Sequence, residues 1–248
     1  MNVIGVIPAR YGSKRLKAKI LADLLGKPMI QHVWERARQS ALLSDLMIAC
    51  DDERIRKAAV GFGAKAVLTS RKHTSGSDRI REVVKPLDVD IVINIQGDEP
   101  LVHPTMIDGL VKAFREDASA LMATVIKPVD DTKELNDPNV VKVVIDKNGF
   151  ALYFSRSTIP YNREKIAFKK IGYYRHLGLY GYRKDFLLNF KNLPPSRLEK
   201  AEQLEQLRVL EAGYKIKTVL TTRTAMAVDT QSDLKRVAAF LKRTSRRG

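Results

Sequence analysis

Three groups of residues in this sequence have the types and spacing to do chemistry. Residues 8–19, PARYGSKRLKAK, hold five basic side chains among twelve and follow the apolar run NVIGVIP at 2–8. That composition suits a polyanion. The spacing matches neither G-x-x-x-x-G-K-[ST] nor G-x-G-x-x-G, so neither familiar phosphate loop is present. An exposed basic turn would have the same composition. Position favours the anion site, because open α/β sheets bind nucleotides beyond the carboxyl ends of their strands. The second group, Gln96-Gly97-Asp98-Glu99-Pro100, follows the β-branched run DIVINI at 90–95, and the third is Val228-Asp229-Thr230. Asp98 and Glu99 could simply cap the next helix. Asp98 and Asp229 at two strand exits would instead offer Mg²⁺ a pair of carboxylates.

Positioning such groups requires strands that end on one edge, and the hydrophobic pattern supplies them. Residues 2–8, 45–50, 66–69 and 90–95 read as strands, and helices are expected from Pro28, over 52–62 and over 78–84. Met29, Ile30, Val33, Trp34 and Ala37 fall on one helical face, and Asp51 or Asp52 can cap the helix at 52–62. This alternation predicts an α/β fold, a mainly parallel sheet flanked by helices. Beyond residue 128 the pattern changes. Strands at 140–145 and 150–154 join through the turn Asp146-Lys147-Asn148-Gly149, and another runs over 174–182. A helix over 199–211, a strand over 215–222 and a helix over 232–242 close the chain. No Pro/Gly/Ser linker divides it, so the reading is one domain, 1–248, with a β-rich insertion at about 128–190.

Composition removes whole classes. The 248 residues are 44% hydrophobic and 29% charged, which excludes a disordered chain. No run has the eighteen or so apolar residues of a membrane span, so membrane insertion is not expected. Cys50 is the single cysteine, so no internal disulfide or cysteine zinc cluster can form, and a reducing cytoplasm is the expected location. The net charge is +16, from 44 Lys and Arg against 28 Asp and Glu; without the six basic residues of 235–247 the balance is 38 against 28, still +10. A diffuse excess of this kind fits a solvated surface that attracts polyphosphates. A basic nucleic-acid-binding protein would share the charge, but Asp98 and Asp229 would repel a phosphate backbone.

The motifs IPARYGSKR, HTSGSDR, NIQGDEP, YFSRSTIPY, HLGLYGYR, LEQLRVLE and AVDT-x-x-DL occur in that order over nearly the whole chain. The combination resembles the 3-deoxy-manno-octulosonate (Kdo) cytidylyltransferase, or CMP-Kdo synthetase, family. The resemblance implies a Rossmann-like nucleotide-diphospho-sugar transferase fold. It also implies a cytoplasmic Mg²⁺-dependent enzyme of lipopolysaccharide synthesis, in which the anomeric hydroxyl of Kdo attacks the α-phosphorus of CTP and pyrophosphate leaves. Such chemistry needs positioning and charge neutralisation more than a covalent intermediate. The 8-amino analogue of Kdo, or another acidic sugar, is the alternative acceptor.

By the same resemblance, Arg10, Ser13, Arg15 and Lys19 would hold the triphosphate, and Asp98 and Asp229 the metal. His73, Ser75, Gly76, Arg79 and Gln96 would face the nucleotide, although a histidine in a polar loop is more often merely solvated. Gln96, Arg156, His176, Tyr180, Glu205 and Gln206 would hold the sugar acid, Arg156 being suited to a carboxylate. The insertion would carry sugar contacts and a homodimer interface. The family usually has S-T-R-L-P-G-K-P-L in the first loop, where this chain has Ser13-Lys14-Arg15-Leu16-Lys17-Ala18-Lys19-Ile20-Leu21. Ala18 thus replaces a glycine that could take positive φ.

Overall fold

β-Branched and aliphatic residues in short unbroken runs favour strands buried on both faces, and three such runs, with a fourth, largely exposed strand, build the first of two compact units, Met1–Asp108 with Thr224–Gly248. The computed structural model describes residues 1–13, 16 and 18–245. In chain order the first unit contains β1 (Val3–Ala9), β2 (Asp23–Leu24), β3 (Lys27–Pro28), α1 (Met29–Ala37), β4 (Asp45–Cys50), α2 (Glu53–Gly61), β5 (Lys65–Leu68), α3 (Gly76–Val84) and β6 (Ile91–Asn94). β1 pairs in parallel with β4 and β6, and β4 with β5, giving the order β6-β1-β4-β5. Val3, Ile4, Val6 and Ile7 are all buried, as are Met29, Ile30, Val33, Trp34 and Ala37 of α1. The alternation read from the sequence is therefore present, with the helix at 76–84 starting two residues earlier than expected.

Caps explain the helix starts. Asp52, rather than Asp51, accepts the Arg54 N–H at 3.0 Å and opens α2, while Ser75 Oγ accepts the Asp78 N–H at 3.0 Å and opens α3. Pro28 stands one place before the helix it was expected to begin, closing a two-residue hairpin whose Leu25 and Gly26 both have positive φ. Helix α4 (Pro104–Glu116) follows, and a last helix, Gln231–Ser245, ends the described chain.

The second unit, Gly109–Arg223, contains β7 (Met122–Pro128), α5 (Thr132–Asn136), β8 (Lys142–Ile145), β9 (Ala151–Ser155), α6 (Phe168–Ile171), β10 (Tyr174–Arg183), α7 (Lys184–Asn189), α8 (Arg197–Glu202), α9 (Leu207–Glu211) and β11 (Ile216–Leu220). β7 is a strand that the sequence reading lacks. It pairs antiparallel with β10 and in parallel with β11; β10 also pairs with β8, and β8 with β9 through the expected hairpin. Among the described residues, no helix is long and apolar enough to cross a membrane.

The single helix expected over 199–211 is two helices. Gln203 takes the left-handed conformation at φ 54°, which ends α8. Residues two apart on a continuous helix point nearly opposite ways, yet Leu204 and Gln206 are both buried. Breaking the helix lets both face inward.

Candidate active site

The carboxyl ends of β1 and β6, the N-terminus of α3 and the turn before the last helix enclose a cavity of about 930 Å³ within the first unit. Arg10, Ser13 and Lys19 of the basic loop line it. His73, Ser75, Gly76 and Arg79 line it from α3 and the loop before it, Gln96 and Asp98 from the exit of β6, and Asp229 from beyond Thr224. Arg15 falls outside the described residues. The wall also includes Thr74 of the HTSGSDR segment and Gly97 of the Gln96–Pro100 group. Gly97 has a steric reason to be glycine: a Cβ there would lie 3.1 Å from the carbonyl oxygen of Pro8 and from Ile20 Cδ1. The N-terminus of α3 adds the positive end of a helix dipole to the basic loop.

Lys19 joins the two acidic groups. Its Nζ lies 2.5 Å from Asp98 Oδ2 and 2.9 Å from Asp229 Oδ1. A main-chain bond from Val228 N–H to the Asp98 carbonyl, 2.9 Å long, fixes the two acidic segments side by side. Burial by itself would lower the Lys19 pKa, but attraction to Asp98 and the bonds to both carboxylates outweigh it and raise the value above its ordinary 10.5. The carboxylate of Asp233 accepts the N–H groups of Asp229 and Thr230 and so holds the Asp229 turn.

The basic loop is held from behind by Asp51 and Arg54, which no motif revealed. Asp51 Oδ1 accepts the Tyr11 N–H at 2.8 Å, and its Oδ2 lies 3.3 Å from Arg79 Nη2. Arg79 is buried, and its Nη1 donates to Thr69 Oγ1. The guanidinium of Arg54 stacks 3.5 Å above the Tyr11 ring. Arg79 thus lines the cavity while serving a structural pair. His73 is not merely solvated, since its Nε2 pairs with Glu82 on α3.

The sugar residues expected from the sequence, other than Gln96, lie in the second unit. His176 Nε2 is 2.9 Å from Thr124 Oγ1, and the ring packs edge-on against Phe154 at 5.1 Å and 5.3 Å from Tyr180. Burial pushes its pKa down to about 3, so the ring is neutral. Four residues of regular strand span about 13 Å; the irregular register of β10 between Leu177 and Tyr180 brings the two rings together instead. The Tyr180 hydroxyl donates to Gln206 Oε1 at 3.1 Å, and the buried Gln206 Nε2 has no partner among the described residues. Arg156 belongs to a different network. Its Nε donates to the Glu202 carbonyl at 2.7 Å and its Nη1 to the Pro138 carbonyl at 2.9 Å. Glu205 is exposed just before α9.

Comparison with known proteins places this arrangement in a family. The family model described as Cytidylyltransferase matches residues 4–216. The 3-deoxy-manno-octulosonate cytidylyltransferase of Geotalea uraniireducens (strain Rf4) is 49% identical, over 98% of this chain and 100% of its own. That of Chloroherpeton thalassium (strain ATCC 35110 / GB-78) is 52% identical over 97% and 98%. The structure of a CMP:2-keto-3-deoxy-manno-octonic acid synthetase complexed with CTP superimposes with a TM-score of 0.93 at 43% identity, covering 98% of this chain and all of that one. A putative glucose-1-phosphate thymidylyltransferase from Bacillus anthracis shares the fold at 18% identity and TM-score 0.68, covering 96% and 94%. With near-complete coverage at about half identity, and with a mostly parallel sheet whose strand ends carry the cavity, this chain belongs to the 3-deoxy-manno-octulosonate cytidylyltransferase family of enzymes.

Proposed function

We propose that this enzyme transfers CMP from CTP to the anomeric hydroxyl of Kdo, giving CMP-Kdo and pyrophosphate for lipopolysaccharide synthesis. The observation that carries the reading is the cavity in which Lys19 stands between Asp98 and Asp229. It suits a nucleoside triphosphate because cationic groups and a helix N-terminus meet the phosphates while two carboxylates remain for a cation. The relative solved with CTP, 43% identical over nearly the whole chain, supports the choice of nucleotide.

The donor set fits Mg²⁺. Both carboxylates already converge on one cation, the Lys19 ammonium, and Mg²⁺ ordinarily takes one or two carboxylates together with substrate phosphates. Among the described residues there is no cluster of three His, Cys, Asp or Glu that would suggest a closed metal cage. Asp98 and Asp229 would hold the ion, which when bound neutralises phosphate charge and orients the triphosphate. In this reading Arg10, Ser13, Arg15 and Lys19 hold the triphosphate, and His73, Ser75, Gly76, Arg79 and Gln96 surround the nucleoside. The attacking oxygen forms a bond to the α-phosphorus as the bond to the β-phosphate oxygen breaks, with loss of the hydroxyl proton. Arg and Lys groups counter the charge that gathers on the departing pyrophosphate.

The sugar acid is assigned to Arg156, His176, Tyr180, Glu205 and Gln206, together with Gln96. The Gln206 Nε2, without a partner among the described residues, and the neutral His176 ring are consistent with recognition of sugar hydroxyls. We read the chain as a single nucleotidyltransferase domain whose insertion at about 128–190 serves sugar binding and a homodimer, working in the cytoplasm. The test is pyrophosphate release by purified protein given CTP, Mg²⁺ and Kdo, with the 8-amino analogue in parallel. Release with Kdo is expected. A large preference for the amine would replace Kdo as substrate, and no release with any sugar acid would reject the reading.

A further inference from the structure

A fully buried ammonium stands in the second unit, and it is not among the residues that line the nucleotide cavity. Lys142 on β8 has no solvent exposure, and burial lowers its pKa below the ordinary lysine value. Its Nζ has three donors and meets three main-chain carbonyls: Asp137 at 2.9 Å, Val140 at 2.6 Å and Arg156 at 2.5 Å. Burying a charge is costly unless every donor is met, so this cage rigidly ties together the three chain positions that supply it.

All three of those positions belong to the setting of Arg156. One is its own carbonyl. The other two are in the turn at 137–140, whose Pro138 carbonyl receives Arg156 Nη1 at 2.9 Å. The remaining restraints come from Glu202, whose carbonyl accepts Arg156 Nε and whose carboxylate accepts the Arg156 N–H at 2.9 Å and the Ser155 hydroxyl at 2.6 Å. Among the described residues no carboxylate pairs with the Arg156 guanidinium, so its charge is held in place by carbonyl oxygens alone. A guanidinium braced in this way is suited to take a substrate carboxylate.

We propose that Lys142 is a positioning residue for the acidic sugar: it fixes both the main chain at Arg156 and the Pro138 turn, and so sets the direction of the guanidinium. The inference rests on the reading of Arg156 as the carboxylate ligand. Without the ammonium, three carbonyls repel one another and the turn relaxes, so the guanidinium loses one of its two anchors. The sugar acid then binds less well, while the nucleotide contacts, which lie in the first unit, are untouched.

The experiment is a set of KM measurements for Kdo and for CTP in Lys142→Met, Pro138→Gly, Arg156→Ala and the Lys142→Met/Arg156→Ala double variant. Lys142→Met and Arg156→Ala should each raise the KM for Kdo about tenfold or more, with that for CTP within twofold, and the double variant should be no worse than Arg156→Ala. Pro138→Gly leaves the cage residue in place and alters only an exposed turn, so it carries the test if Lys142→Met does not fold; a severalfold rise confined to the Kdo KM is expected. Multiplicative losses in the double variant, or equal losses for both substrates, would show a merely structural lysine. If Arg156→Ala weakens Kdo binding while Lys142→Met and Pro138→Gly do not, the positioning inference fails and the Arg156 reading stands. An unchanged Kdo KM in Arg156→Ala removes that reading and this inference with it.

Discussion

The ammonium of Lys19 lies 2.9 Å from the carboxylate of Asp229, a residue 210 positions further along the chain. The pair, completed by Asp98, makes the acidic side of the cavity depend on three distant segments. In the proposed metal reading, Asp98→Ala and Asp229→Ala should each lower turnover about 100-fold or more, because the cation would lose a ligand and phosphate charge would go uncompensated. Thermal unfolding should shift little, both carboxylates being partly solvent-exposed. Initial rates over a range of Mg²⁺ concentrations, with melting curves, check this; near-normal turnover at ordinary Mg²⁺ would remove that residue from the metal site.

Ala18 occupies the left-handed region, at φ 50° and ψ 37°. That conformation costs a residue with a Cβ about 1–2 kcal/mol, whereas glycine adopts it freely at an entropic cost in the unfolded chain. Ala18→Gly should therefore stabilise the protein by roughly 0.5–1 kcal/mol in denaturant titration. A loss of stability would mean that the backbone at 18 relaxes on its own in solution.

Asp51 holds the basic loop through Tyr11 and Arg79 without reaching the cavity lining. Removing it leaves the buried Arg79 charge without its carboxylate, which costs about 3 kcal/mol or more. Asp51→Asn keeps an acceptor for the Tyr11 N–H and should be milder in stability while still raising the KM for CTP. A variant with unchanged CTP kinetics would show that the loop is held elsewhere.

His176 and Asp233 predict where acid weakens the fold. His176 has a folded pKa of about 3 against 6.5 when unfolded, so between those values the unfolded chain binds the extra proton and stability rises with pH. Partial burial would raise the Asp233 pKa, but bonds from the Thr230 hydroxyl, the Asp229 and Thr230 N–H groups and Arg236 bring it down to about 2. Its contribution is complete above 3.8 and is lost as pH falls through 2. His176→Gln should flatten the dependence of unfolding free energy between pH 6 and 4 by up to about 1.4 kcal/mol per pH unit. An unchanged slope would show that the ring charges in the folded state.

Cys50 is buried, and burial first of all pushes its thiol up to about 11. Thiolate is the reactive form, so alkylation should follow global unfolding rather than precede it. Fast labelling of the native enzyme by a thiol reagent at pH 8 would contradict this.

Local pattern was enough for the elements that present the cavity. Unbroken apolar runs marked β1, β4 and β6, and the helical spacing of Met29, Ile30, Val33, Trp34 and Ala37 marked the buried face of α1, because such patterns are written into neighbouring residues. It was also enough to point to the basic loop and to Asp98, since chemistry in such sheets collects at strand exits; the choice of Arg10 and Lys19 within that loop came from the family resemblance, and Asp229, expected at a strand exit, stands instead in the turn before the last helix. Only the tertiary structure decided that Lys19 bridges the two acids, that Asp51 serves the loop while Asp52 caps α2, and that residues 197–211 break at Gln203. Each of these depends on partners far along the chain or on packing that demands two buried faces at once. Lys142 shows the same division: a lysine in a β-branched strand gives no local sign that three carbonyls will enclose it, because the cage exists only once the 137–140 turn and Arg156 come together around it.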